Sequence, residues 1–157
     1  MALAGEPLDR VIAEGHAMLR ELRLREQELT ARIGGIFVQW AEALRDPDAD
    51  PLLVGVAFDS TAVLGELERT GEGPIVVFYA HVARTILATI LGDDDAAIDS
   101  GERAAPLAQA GLGTPAEAHF WWYFAAAAAR KGLAEGGSAR SFALRRVRAS
   151  RRRLRGF

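Results

Sequence analysis

The chain has 157 residues, 50% of them hydrophobic and 25% charged, the profile of one ordinary domain that buries about two-thirds of its unfolded surface. It contains no cysteine, which excludes disulfides, thiolate nucleophiles and cysteine-built zinc or iron–sulfur sites. The net charge of −2 hides a split: residues 1–129 carry 9 arginines against 20 carboxylates (−11), and residues 130–157 carry 10 basic residues against one glutamate (+9). Such asymmetry points to a basic face that meets something acidic, whether a partner, nucleic acid or the rest of the same chain.

The opening MALAGEPLDR has no basic stretch followed by an apolar run, so no secretory leader is expected. A cytoplasmic location fits the lack of cysteine. After Pro7, apolar residues recur at helical spacing in two rows. One is Leu8, Gly15, Leu22, Leu29 and Ile36; the other is Ile12, Leu19, Glu26, Ile33 and Trp40. Together they form one apolar stripe with a single polar breach at Glu26. This predicts one very long helix, or a pair, over about residues 7–45. A pair is expected to break at Gly34–Gly35, because glycines weaken a helix interior by about 1 kcal/mol each. The stripe suits packing across a bundle, and a homo-oligomer formed through this helix is an alternative.

The segment RDPDADP ends the first region with two prolines. Its Asp46, Asp48 and Asp50 are spaced like the first ligands of a calcium loop. Pro51 and Ala57 stand where that loop needs glycine and glutamate, so an acidic turn is the expectation. A short helix follows near Asp59–Arg69, stopped by Gly71 or Gly73. The next helix runs from Pro74, a good first position, to Leu91, with Gly92 as its C-terminal cap. Its apolar span Ile75–Leu91 is interrupted by His81 and Arg84 and reads as a buried helix, with no membrane partner expected. Asp93–Asp95 open a further helix as N-terminal capping carboxylates, and Pro106 kinks or ends it. Thr114, Pro115 and Glu117 read as a capping box starting the helix that holds HFWWYF and five alanines. Gly136–Gly137 break that helix, and Ser138 caps a last, arginine-rich one. No stretch alternates with period two. The expected fold is therefore all-α: a single domain of about six helices in an antiparallel bundle or helical-repeat-like array, with no sheet.

Catalytic motifs are missing. GEGPIVV has glycines before an apolar run but no lysine to hold a phosphate, and the three histidines show no metal-ligand spacing. No cofactor and no metal are expected. His81 and His119 lie on apolar helices beside Tyr79 and Tyr123. If those helices pack together, the four groups either satisfy one another in a core or line a polar pocket. Six consecutive large side chains, His119–Phe124, point all round a helix and are expected to be enclosed on every side. In the last helix, Phe142, Leu144, Val147 and Leu154 make a thin apolar seam. Arg145, Arg148 and Arg152 are candidate contacts for an acidic partner. Adenine-reading Asn and Gln are absent there, so nucleic-acid binding is the weaker use of that face.

The order of signals from Phe58 onward carries a resemblance. It consists of FD before a short helix, a helix ending in Leu91-Gly92-Asp93, Ala97 and Ala104 in AAIDSGERAAP, and an aromatic helix before an arginine-rich one. This pattern resembles the helical-repeat region of large multidomain bacterial signalling ATPase/kinase proteins. The spacing of Gly92, Ala97 and Ala104 is also similar to part of a tetratricopeptide repeat, where small residues let paired helices pack. The resemblance implies a non-catalytic repeat-like core over residues 58–157. Such a module binds a protein or peptide, or relays regulation to other modules of a larger chain. It implies no catalytic residue. Two other readings follow from the residues themselves: a small all-α enzyme or ligand binder with a pocket at Tyr79, His81, His119 and Tyr123, and a nucleic-acid binder using the basic helix.

Overall fold

A computed structural model describes residues 6–46, 50–71 and 73–156. Asp48 of the acidic turn and the first five residues lie outside them. Among the described residues the protein is all-helical, with seven α-helices and no strand. They are α1 (Leu8–Leu24), α2 (Glu28–Arg45), α3 (Ser60–Thr70), α4 (Pro74–Leu91), α5 (Asp94–Ala104), α6 (Pro115–Glu135) and α7 (Gly137–Leu154). A 3-10 segment, Ala105–Gly111, joins α5 to α6, with Pro106 in its first turn ending the α-helix.

The N-terminal region is a helix pair, but it breaks at Glu26 rather than at the glycines. Glu26 has φ of +56°, in the left-handed region that turns a chain back on itself. The two helices then run antiparallel. His16 meets Glu42 at 2.7 Å and Arg45 meets Asp9 at 3.0 Å. Gly34 and Gly35 stay inside α2 because they allow close approach. A Cβ on Gly35 would stand 2.5 Å from the Ala57 carbonyl oxygen, and one on Gly34 would press Met18 and Leu19. The polar breach in the stripe is thus the turn of a hairpin, and the stripe on α1 faces the stripe on α2.

Helix α4 is the centre. Among the described residues it is the one span long and apolar enough to cross a membrane; here α2, α3, α5 and α6 surround it. Its ends match expectation, with Pro74 at its start and Gly92 at φ +85° as its cap. Asp59 caps α3 by accepting from the Thr61 and Ala62 amides at 2.9 and 3.2 Å, and Asp93 caps α5 through the Ala96 amide at 2.9 Å. Ala88, Ala97 and Ala127 meet at full burial and bring α4, α5 and α6 together. Gly101 lies directly under the Phe124 ring.

Two caps differ from expectation. The Thr114 hydroxyl donates to the Gly111 carbonyl at 2.7 Å and leaves the α6 amides alone. Buried Glu117 instead accepts from the Gly113 amide at 3.2 Å and from Trp121 Nε1 at 3.4 Å. The carboxylate is held by the indole one turn on, so no reciprocal box forms. Helix α7 begins at Gly137, one residue before Ser138, and Gly136 takes the cap position with no side-chain bond. The adjacent glycines, both at positive φ, let the chain reverse within two residues.

Candidate ligand-binding cleft

Through α2 the helical hairpin packs on α4, and a cleft of about 690 Å³ lies between the hairpin, α4 and the start of α6. That is within the range of small-molecule sites, about 300–1,000 Å³. Tyr79 comes from α4. His119 and Tyr123, one turn apart on α6, face the same way. Phe37 and Trp40, three apart on α2, close the opposite wall, and Glu14, Gly15 and Met18 of α1 complete it. Phe37 and Tyr79 meet edge to face at 5.7 Å and 70°. Phe37 is still 45% exposed, so its ring stands at the rim.

The wall is mostly apolar. Among the described residues Glu14 is its only carboxylate, and neither lysine nor arginine lines it. Glu14 accepts from Arg10 Nε at 2.8 Å, and the same guanidinium also reaches Glu6 at 3.2 Å. Among the described residues no hydrogen bond joins any two of Tyr79, His81, His119 and Tyr123.

The four residues that the sequence offered as either a core cluster or a pocket divide three to one. Tyr79, His119 and Tyr123 line the cleft, and His81 does not. Residues two apart on a helix point about 200° apart, so Tyr79 and His81 cannot share a wall. His81 is 1% exposed and faces α3, where its Nε2 meets Glu68 Oε1 at 2.9 Å. Its Nδ1 is buried without a partner among the described residues. Burial pushes the His81 pKa below the ordinary histidine range; the bond to Glu68 pulls upward, and the charge of Arg84 adds to the lowering.

The aromatic block is also divided. Phe120, Trp121 and Phe124 are buried, but Trp122 is 64% exposed. Helices α4, α5 and α7 pack on α6 and leave one side of it to solvent, so enclosure on every side is not what forms. Phe120 stacks on Phe124 at 5.5 Å and meets Phe78 edge-on at 6.0 Å.

The arginines of α7 have two roles. Arg146 pairs with Glu102 at 2.5 Å and lies over the Phe142 ring at 5.3 Å, and Arg153 lies over Trp121 at 5.8 Å. Arg145, Arg148 and Arg152 are exposed, and no ion pair or hydrogen bond holds them among the described residues. Their spacing of three and four puts them on one outward face. The seam beneath α7 runs through Phe142, Ala143, Val147, Ser150 and Leu154; Leu144 is 48% exposed and stands outside it.

Sequence reasoning missed the hairpin's share of the cleft. The signal was present as Phe37 and Trp40 beside Gly34, two rings and a gap on one helix face. Among the described residues, no group of three or more His, Asp or Glu side chains is close enough to hold a metal ion. No protein-family model, no curated protein and no solved structure matches this chain.

Proposed function

We propose that this chain is a non-catalytic α-helical binding module that takes a small, largely apolar molecule into the cleft between its N-terminal hairpin and α4–α6. The observation that carries this reading is the cleft itself: about 690 Å³, walled by rings and aliphatic side chains from four helices. Its polar groups suit orientation more than chemistry. Among the described residues Tyr79, His119 and Tyr123 have no hydrogen-bonded partner that would make any of them the base of a nucleophile. Because the hairpin supplies half the wall, occupancy would tie the hairpin to the central helices. That coupling gives a physical route for the regulatory relay expected of a module within a larger signalling chain.

The test is titration with the neutral fluorescent probe 1-N-phenylnaphthylamine. Saturable, single-site enhancement is expected, together with a raised melting temperature. Ala116→Trp, which puts an indole into the cleft from the first turn of α6, is expected to abolish it. Unsaturable binding, or binding that Ala116→Trp leaves intact, sinks the reading.

A second reading, interaction with an acidic protein or peptide, is favoured by one observation: Arg145, Arg148 and Arg152 face outward and have no ion pair among the described residues. It complements the first, because α7 adds nothing to the cleft wall. A fluorescent polyglutamate peptide is expected to bind weakly and lose affinity steeply with salt.

A further inference from the structure

The charge pattern of the cleft says more than its size. Phe37, Trp40, Tyr79 and Tyr123 bring four aromatic rings to its wall from three helices, and among the described residues Glu14 is the one carboxylate there and no lysine or arginine lines it. Rings present a negative face to a cation. Arg10 offsets Glu14 only in part, because its guanidinium is shared with Glu6, and the trio keeps one net negative charge. An anion entering this cleft would meet one carboxylate and, among the described residues, no lysine or arginine, so only the hydroxyls of Tyr79 and Tyr123 and the ring nitrogens of Trp40 and His119 are there to replace its hydration. A lipophilic cation would bury its body against the rings and keep its charge toward Glu14, which is 45% exposed at the mouth.

We propose that the cleft selects lipophilic organic cations, an apolar or aromatic body carrying an ammonium- or phosphonium-type charge, over neutral and anionic molecules of the same shape. The proposal rests on the reading of the cleft as a ligand site and adds charge selection by Glu14 and the four rings.

The experiment compares tetraphenylphosphonium, neutral triphenylphosphine oxide and tetraphenylborate by isothermal titration at pH 8 and low salt. The wild type, Glu14→Gln and Ala116→Trp are each tested, with helix content checked by circular dichroism. The cation is expected to bind about tenfold more tightly than the neutral probe, the size of a cation–ring interaction with one partly solvated carboxylate. Glu14→Gln is expected to bring cation and neutral probe within about twofold of each other, and Ala116→Trp to remove both. Tetraphenylborate binding that Ala116→Trp removes is expected to be no tighter than that of the neutral probe, and a cleft affinity equal to the cation's overturns the selection. Equal affinity for cation and neutral probe in the wild type overturns the charge selection and leaves the cleft standing as a site. A preference that Glu14→Gln does not change, or cation binding that Ala116→Trp does not reduce, also overturns it. Failure of all three probes on folded protein overturns the ligand-site reading along with the selection.

Discussion

Helix α4 is packed differently on its two sides. Toward α5 and α6, Phe78, Phe120 and Phe124 are fully buried, and Gly101 and Gly111 lie directly beneath the Phe124 and Phe78 rings. Toward the hairpin, rings also meet edge-on, but Phe37 remains 45% exposed and a cleft opens beside it. Both sides contain glycines, and what faces them differs. On the α5–α6 side each glycine receives a ring from another helix. In the hairpin, Gly15 faces Val38 at 2.5 Å from an added Cβ, and Gly34 faces Met18 and Leu19. Those glycines pull α1 and α2 onto each other and leave the hairpin's contact with α4 less filled. Small residues close a seam only where a large side chain is aimed at them from across it.

The comparison is tested hardest at Phe124. Phe124→Ala removes a fully buried ring from the closed side and is expected to cost about 3–5 kcal/mol, read from urea midpoints. Phe37→Ala on the open side is expected to cost about 1 kcal/mol or less, because nearly half of that ring is already in water. Equal costs would mean that the two sides are packed alike.

His81 marks the closed side of α4 toward α3, and its burial is readable as pH dependence. Its folded pKa lies below the ordinary value of about 6.5. Between the two values the unfolded chain binds more protons than the folded one, so stability is full above that window and falls as pH drops through it. Urea midpoints at pH 7.5 and 5.5 are expected to show the loss. His81→Leu is expected to remove the part of the slope that belongs to this residue. A steeper acid loss in His81→Leu than in wild type would contradict the burial argument. Smaller still, Asp93→Ala removes the α5 cap and is expected to cost about 1 kcal/mol, with amide exchange quickening first at Ala96.

The parts of this arrangement that could be read from sequence are those decided locally. Asp59, Asp93, Pro74, Gly92 and Pro106 act within one turn of chain, and each does what its chemistry implies. The hairpin turn is different. A left-handed Glu26 is unfavourable on its own, and it is selected by the docking of α1 on α2, which no local rule contains. The same holds for Gly34 and Gly35, whose helical cost is outweighed by the approach of Met18, Leu19 and the Ala57 carbonyl. Thr114 and Glu117 fit a capping box locally, but Trp121 competes for the carboxylate. Of the cleft, Tyr79, His119 and Tyr123 were legible because helical spacing fixes their faces. The same spacing separates Tyr79 from His81. Phe37, Trp40 and Glu14 join them only after two separate elements dock.

The smallest effect is expected on α7. Arg146 and Arg153 are tied to Glu102, Phe142 and Trp121 and belong to the packed body, whereas no ion pair or hydrogen bond holds Arg145, Arg148 or Arg152 among the described residues. Replacing those three by glutamine is expected to change stability by no more than about 0.5 kcal/mol. Any change should be toward greater stability at low salt, because like charges three and four apart on a helix repel. Arg146→Gln, by contrast, breaks a half-buried pair and is expected to cost more than the triple substitution. A triple variant that unfolds earlier than Arg146→Gln would mean that the outward arginines hold the fold. They would then not be free to meet an acidic partner, which would remove the observation that favours one.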